Sequence, residues 1–553
     1  NVNVQGIQKR IILFIWRGQK YKNDRSRNSD RSSYYDQKKY IRQAMYLQSR
    51  GYYKKSQIVQ RNQELWKLEK EAQKIRKKIY NQKQKTKNIL GILFFSLLSV
   101  SCQEWLDVSP STEVKYDDLF SYKNGFKDQL TGVYTALCSE ELYGAHLGFG
   151  MLDALGQQYF WNQEAGTYYY LHRFVYDNPK SEEVINSIWN NMYNTIANVN
   201  ILLQGIEDHR GVLTADEKIY EGEAYALRAF LHFDLLRLFG KSYVSGAGEK
   251  AIPYVRKISK EVTPLSTVTE VLDLTIKDLE KAADLLQEDP VKTGKATTSF
   301  LGTRNFHFNY YAVRALMARV YLYKNDKVNA LKNAREVMLS NQYSWVKKAQ
   351  VATTTRESRD GIFLPECIFM LNNTGLKKLT ETYLKESENN SVGNLLITTA
   401  EVRDEIFENA LYGGSDWRYI YYFEPVDSYY LSTKLWQVSS SYNNRQPLLR
   451  MSEMYLIAAE CATTKKEALD YLNTLRRNRG FEVTDDLQEN ITDEKLQEAI
   501  GKEYRKEFIG EGQWFFYCKR TDQATLPNVK VPFSKAYYVL PIPDQELEYG
   551  NRN

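Results

Sequence analysis

Several charged residues of this chain lie inside apolar segments, and their side chains are of the types that take part in acid–base chemistry. Glu223, Arg228, Glu460, Arg505 and Glu507 stand among Ala, Leu, Phe and Tyr residues. A cluster of Glu and Arg could carry out general acid–base catalysis. The neighbouring sequence supplies no nucleophile, metal ligand or phosphate-binding glycine loop. We therefore predict partly buried ion pairs of a scaffold, and no catalytic residue.

Aromatic and amide side chains are concentrated between Asp153 and Gln163, and Tyr168–Tyr170 follow soon after. Tyrosine is frequent in the whole chain, with 42 residues among 553. Aromatic rings combine a flat apolar body with a polar handle, which suits contact with sugars or peptides by stacking. The alternative is that these rings fasten a loop to the scaffold.

Cysteine and histidine are sparse and scattered. After Cys102 the chain contains Cys138, Cys367, Cys461 and Cys518, with no Cys-x-x-Cys pair, and its five histidines are far apart in sequence. This spacing lacks a zinc or haem signature. We expect free buried thiols rather than disulfides, and we predict no metal or other cofactor.

Residues 85–102 read Lys-Thr-Lys-Asn-Ile-Leu-Gly-Ile-Leu-Phe-Phe-Ser-Leu-Leu-Ser-Val-Ser-Cys. A basic flank, a short apolar run and small residues follow one another as in a secretory signal peptide. The run is shorter than the ~20 residues that span a bilayer. Its end resembles the lipobox of bacterial lipoproteins, so we assign 85–101 as a lipoprotein signal peptide and Cys102 as the lipid attachment site. The alternative is a hydrophobic helix that ends in cysteine by chance.

Charge divides the chain at this segment. Residues 1–89 carry 24 Lys and Arg against 6 Asp and Glu, whereas residues 102–553 carry 51 against 62. The basic pI therefore belongs to the leader, and the charge of the body does not indicate a nucleic-acid partner. Because the first methionine is Met45, we expect a misplaced start site and the absence of residues 1–84 from the mature protein. A genuine basic arm is the alternative.

Apolar residues recur at helical spacing in several segments. Thr214 and Glu217 form a predicted capping box at the start of one helix, and Gly240 ends it. Short turns at 325–326 and 463–464 predict antiparallel helix pairs. The predicted helices lie at about 185–206, 215–239, 267–287, 309–324, 327–340, 450–461, 465–479 and 492–509.

Small alanines stand among large residues in three of these helices, as in tetratricopeptide hairpins. We predict a mainly α fold: a partial tetratricopeptide-like scaffold of about four hairpins over about 185–340 and 445–511. An irregular helical bundle is the alternative. Long irregular loops are expected at 142–183, 288–306, 341–444 and 512–553, and loops of that length are usually functional.

Several motifs, in the same order behind the lipobox, resemble those of the SusD/RagB family of Bacteroidota surface lipoproteins. Gln513-Trp514 departs from the family, which often has an arginine and an aromatic residue there. The matching segments are 105–112, 221–240, 252–254, 366–369, 416–418, 450–460, 473–480, 503–512 and 540–543.

The resemblance implies one nutrient-binding domain over 102–553 that is not an enzyme. It implies lipid anchoring in the outer membrane, with the protein facing outward as a lid on a SusC-like TonB-dependent transporter. Most family members capture oligosaccharides, and the RagB branch handles peptides.

In this family the region after the first helices contributes an aromatic residue to the ligand site. We therefore predict Trp161, Tyr159 and Asn162 as ligand-binding residues, with Tyr383 as a further candidate. The loop-rich parts at about 142–183 and 341–444 would form the ligand site. Asp416 and Arg418, which flank Trp417, match a family motif that looks structural.

Two competing functions remain open at this point. An extracellular glycoside hydrolase needs two carboxylates roughly 5–9 Å apart across a sugar site, and no hydrolase motif is recognisable. A tetratricopeptide adaptor for protein partners would show regular repeats without long aromatic loops.

Overall fold

Capped helices form the frame of this protein. The computed structural model describes residues 116–160, 164, 166–213, 217–295, 298–386, 394–412, 414–438 and 441–550. The longer helices are α1 (Lys123–Leu137), α2 (Pro179–Asp208), α3 (Glu217–Phe239), α4 (Val268–Leu285), α5 (Tyr310–Tyr323), α6 (Lys327–Met338), α7 (Met451–Cys461), α8 (Lys465–Arg477) and α9 (Asp493–Glu507). Shorter helices are Tyr116–Phe120, Met151–Leu155, Tyr169–His172, Tyr243–Gly246, Pro290–Thr293, Lys348–Val351, Leu376–Tyr383, Ala400–Ile406, Asn409–Tyr412, Trp417–Tyr421, Gln513–Arg520 and Asp544–Tyr549.

The predicted helices are all present, with shifted ends. Helix α2 begins six residues before its predicted start, because the Asn178 side chain accepts a hydrogen bond from the Lys180 N–H and Pro179 occupies the first turn. Helix α4 begins with a full capping box between Thr267 and Glu270. Thr214, the predicted cap of α3, lies outside the described residues, as do Cys102 and the segments before it.

Successive helices pack in pairs: α1 with α2, α3 with α4, α5 with α6, and α7 with α8. Neighbouring pairs also touch, since α2 packs on α3, and α6 on α7. Asn325, with a φ of +62°, makes the tight turn between α5 and α6. The predicted mainly α, repeat-like fold is confirmed.

Short strands join the segments that were expected to be irregular. Strands β1 (Lys250–Pro253) and β2 (Leu265–Thr267) pair antiparallel, and so do β3 (Cys367–Asn372) and β7 (Arg445–Arg450). A third sheet has the order β4–β6–β5, formed by Ile397–Thr399, Tyr429–Ser432 and Phe423–Val426. At three to six residues, these strands are too short for a periodicity to reveal them.

Aromatic rings connect the helices to the β3–β7 sheet in the core. Phe308, just before α5, lies with its ring centroid 5.6 Å from that of Phe230 on α3 and 4.7 Å from that of Phe369 on β3. The four described cysteines are free thiols; Cys367, Cys461 and Cys518 are buried as predicted, whereas Cys138 is only half-buried. Within the described ranges, no helix combines the length and hydrophobicity needed to cross a bilayer.

Candidate ligand-binding cleft

The predicted ion pairs lie inside the scaffold. Glu507 on α9 bonds Arg450, Arg479 and Arg418 at 2.5, 2.7 and 3.0 Å, and all four side chains are buried. Arg418 also bonds its neighbour Asp416 at 2.7 Å, so the predicted structural role of this motif is confirmed.

The other residues predicted to be ion-paired also have partners, which the sequence did not indicate: Glu223–Arg304, Arg228–Asp278, Glu460–Arg520 and Arg505–Glu405, at 2.6 to 2.8 Å. Burial alone would raise the pKa of Glu223, but attraction from His307 and Arg304 lowers it to about 2. This is opposite to the raised pKa of a general acid in a hydrolase.

Of the predicted ligand-binding residues, Trp161 and Asn162 lie outside the described residues. Tyr159 is 6% exposed, and its hydroxyl donates a hydrogen bond to the Phe149 carbonyl at 2.7 Å. Little of this ring is open to a ligand, and it holds the start of the loop in place. Its contact with a ligand stays a prediction.

The carboxylate of Asp153 holds the same loop against the turn that follows helix α9. This carboxylate accepts hydrogen bonds from the backbone N–H groups of Gly510 at 2.5 Å and Gly512 at 3.0 Å. Both glycines have positive φ, +82° and +71°, which side chains other than glycine adopt with strain. Burial raises the pKa of Asp153 to about 7, although these backbone donors act in the opposite direction.

A cleft of about 500 Å³ is lined by residues that precede and follow this segment in the sequence, such as His146 and Thr167. Its walls come from the π-helical turn Glu140–Gly144, the residues that follow it, the first turns of α2 and the end of the helix Leu376–Tyr383. The lining side chains that matter below are Glu140, Glu141, His146, Lys180, Glu183 and Tyr383.

Tyr383, a predicted site residue, therefore lines the cleft. Its hydroxyl donates a hydrogen bond to Glu140 Oε1 at 2.5 Å, and its ring lies 5.6 Å from that of Tyr168. Burial, followed by the hydrogen bond to Glu140, raises the pKa of Tyr383 to about 12. The tyrosine is only 3% exposed, so it forms the floor of the cleft rather than an open platform.

A second aromatic surface lies on the β4–β6–β5 sheet, and Phe160 joins it to the loop that begins at Asp153. The Phe160 ring stacks on Tyr429 at 6.0 Å, and the Phe160 N–H bonds the Ile397 carbonyl at 2.9 Å. Arg403 lies over the Tyr430 ring at 3.7 Å. These rings are half-buried, and sequence reasoning missed them because their strands were not recognised.

Trp417 is part of the scaffold and does not line the cleft. Its backbone N–H bonds the Arg479 carbonyl at 2.8 Å, and its half-buried ring lies against Gly480. A Cβ at Gly480 would come within 2.5 Å of this ring. The arrangement agrees with the structural role of the motif around it.

Two family models match the chain. The first, described as "Starch-binding associating with outer membrane", matches residues 104–322, and the second, the SusD family, matches residues 410–532.

Two SusD-like proteins from Formosa agariphila are similar in sequence. One is 24% identical over 297 residues, covering 51% of this chain and 50% of the relative; this match thus spans half of that relative's length. The other is 20% identical over 537 residues, covering 84% and 97%.

Solved structures with the same fold come from Bacteroides. A SusD superfamily protein from Bacteroides thetaiotaomicron has a TM-score of 0.62 at 20% identity, covering 79% of this chain and 99% of that one. Surface glycan-binding protein A from Bacteroides uniformis has a TM-score of 0.60 at 20% identity, covering 78% and 98%. At this identity they establish the fold alone. With the family models on both halves of the domain, this chain belongs to the SusD/RagB family.

Proposed function

We propose that this protein is a cell-surface lipoprotein that binds oligosaccharides and delivers them to a SusC-like TonB-dependent transporter in the outer membrane. Family membership supports this, since the matching model is described as starch-binding and associating with the outer membrane. The acyl chains on Cys102 would anchor it, because more than one lipid chain gives stable membrane attachment.

The observation that carries the binding role is the cleft of about 500 Å³, whose lining includes Gly166 and Thr167, shortly after Trp161 in the sequence. Sites of ~300–1,000 Å³ with a few polar groups are typical of small-molecule binding. Tyr383 forms the floor of the cleft. Phe160, which precedes Trp161, stacks on Tyr429 and adds a second aromatic surface.

We infer binding without catalysis. Buried carboxylates such as Glu503 are paired with basic side chains, and attraction from Lys506 and Arg418 lowers the pKa of Glu503 to about 2 although burial opposes this. A glycoside hydrolase needs one carboxylic acid that is protonated near neutral pH and in contact with the sugar. Burial raises the pKa of Asp153 to about 7 and that of Asp360 to about 6, but both carboxylates are fully buried and bonded to backbone N–H groups, so a sugar does not reach them. Incubation with a glycan panel, followed by analysis of the products, tests this directly: released sugars would contradict the proposal.

Trp161→Ala tests the site. One stacked sugar is worth roughly 1 kcal/mol by analogy with aromatic pairs, so we expect affinity for a bound glycan to fall by about fivefold. The melting temperature should stay nearly unchanged. Calorimetric titration measures the affinity, and Trp345→Ala, a half-buried scaffold tryptophan, is the matched control. A large fall in melting temperature with unaltered affinity would place Trp161 in the core.

Binding of peptides in place of glycans would favour the RagB-like alternative. A panel of oligopeptides run beside the glycans therefore distinguishes the two ligand classes.

A further inference from the structure

The cleft carries an excess of negative charge. Among its described lining residues are Glu140, Glu141 and Glu183, against one lysine, Lys180. None of these three carboxylates forms an ion pair within the described ranges, and Glu141 and Glu183 also lack a hydrogen-bond donor there. Glu141 is half-buried, and Glu183 is exposed just after the first turn of α2. Both carboxylates are therefore open to a ligand.

His146 is the second feature of this wall, and it is 5% exposed. Its Nδ1 lies 2.8 Å from the Tyr168 hydroxyl, whereas its Nε2 has no partner among the described residues. Burial lowers the pKa of His146 to about 4, so the ring is neutral at pH 7. One buried polar atom of the lining is thus left for a ligand.

The neutral ring of His146 has one N–H and one lone pair. Its Nδ1 is engaged by the Tyr168 hydroxyl, which can donate or accept, so Nε2 presents either the N–H or the lone pair according to the tautomer. In both tautomers Nε2 offers a hydrogen bond to a ligand in the cleft.

We propose that this cleft selects saccharides that carry a protonated amine. Glu141 and Glu183 would pair with the ammonium group, and Nε2 of His146 would form a hydrogen bond with a sugar hydroxyl, which can donate or accept. This inference rests on the proposed function and deepens it, because it names the ligand class. Uronate or sulfate groups would be repelled by the same carboxylates. Within the described residues, no three His, Cys, Asp or Glu side chains converge to hold a metal ion, so the geometry points to an organic cation.

The test compares two sugars with one backbone. The purified protein is titrated calorimetrically with a glucosamine trimer and with an N-acetylglucosamine trimer, at a pH where the free amine is protonated. We expect the charged trimer to bind about tenfold more tightly. Raising the ionic strength should reduce that ratio, because the carboxylates are partly exposed.

Glu141→Gln combined with Glu183→Gln should bring the ratio close to one. Glu182→Gln is the matched control, since Glu182 is an exposed neighbour on α2 that does not line the cleft. A thermal melt checks that each variant is folded.

Each other outcome has a distinct meaning. Equal affinities for the two trimers, or a ratio that the double variant leaves unchanged, would overturn this inference and leave the proposed function standing. Tighter binding of trilysine than of the glucosamine trimer would replace a saccharide by a basic peptide. If no trimer and no glycan of the panel bound, the proposed function would fail as well.

Discussion

His232 is held neutral because both of its ring nitrogens are in use. Its Nδ1 lies 2.9 Å from the Arg228 carbonyl, and its Nε2 accepts the Val255 N–H at 2.9 Å. The ring stacks on Tyr254 at 3.9 Å. Burial lowers the pKa of His232 to about 3. Protonation of Nε2 would also remove the acceptor of the Val255 N–H.

His232 should therefore make the protein less stable in acid. Its folded pKa is depressed below the unfolded value of ~6.5, so the unfolded chain takes up a proton first and stability falls as the pH falls below that value. His232→Gln removes this titration. We expect the difference in unfolding free energy between wild type and variant to shrink by roughly 2 kcal/mol between pH 7 and pH 5.

Urea unfolding at a series of pH values measures this difference. His209→Gln, which alters a half-buried ring after α2, is the control. Parallel pH curves for wild type and His232→Gln would show that His232 does not titrate as inferred.

At the residue scale, charges in apolar segments were sufficient to predict Glu223 and Glu507 as ion-paired residues. Their partners could not be predicted, because Arg304 and Arg479 are brought to them only by folding. The cleft shows the same limit. Tyr383 could be suspected as an aromatic residue in a long loop, but Glu140 is 243 residues away in sequence.

At the scale of elements, the side chains that cap helix starts are the clearest local contribution to the fold. Asn309 caps α5: its side chain accepts the Ala312 N–H at 2.9 Å and donates to the carbonyls of Arg304 and Ile368 at 3.0 Å each. It therefore links α5 to strand β3 as well as capping the helix. Asn309 is fully buried.

Asn309→Ala should cost more than the loss of an ordinary cap. Two buried carbonyls and one N–H lose their partner, so we expect a decrease of about 2–4 kcal/mol in unfolding free energy. Thr492→Ala removes the exposed cap of α9 and should cost only about 1 kcal/mol. Equal losses in denaturant unfolding would contradict the linking role of Asn309.

Periodicity predicted long helices such as α4 and α8 well because each buries one apolar face against its neighbours. Helices α3, α5 and α7 are buried on nearly every side, and the alanines among their large residues indicated them instead. The segments 142–183 and 341–444 behaved differently. There the chain forms short helices and strands whose side chains are too few to set a period. Strand β4 is an example, because its hydrogen bonds are made with β6 and with Phe160, which are distant in sequence.

At the scale of the whole molecule, Glu507 joins parts of the chain that are distant in sequence. Its three arginines come from the end of β7, the end of α8 and the helix Trp417–Tyr421. Glu507→Gln would leave these buried charges only partly compensated. We expect a loss of about 3–5 kcal/mol in the free energy of unfolding.

Glu498→Gln is the matched control, on the same helix. Its exposed ion pair with Lys502 should contribute less than about 1 kcal/mol. A small loss in Glu507→Gln, measured by urea unfolding, would mean that the arginines are satisfied without this carboxylate.

Anchoring also belongs to the whole molecule. Cys102→Ala should release the protein from the outer-membrane fraction without lowering its melting temperature, because the acylated thiol is the proposed attachment. Metabolic labelling with a fatty acid gives the readout. Equal label in wild type and Cys102→Ala would contradict the lipoprotein assignment.

The bonds from Gly510 and Gly512 to Asp153 have a consequence for how the protein is made. The bonded residues are 357 and 359 positions apart, so the chain must be made as far as Gly512 before Asp153 finds both donors. Pairing over such a separation carries a large loop-closure entropy and is expected late in folding. A nascent or truncated chain that stops before Gly510 contains helices α1–α9 and still lacks the donors that anchor the loop. Ligand capture would then depend on residues that are made long after the loop itself.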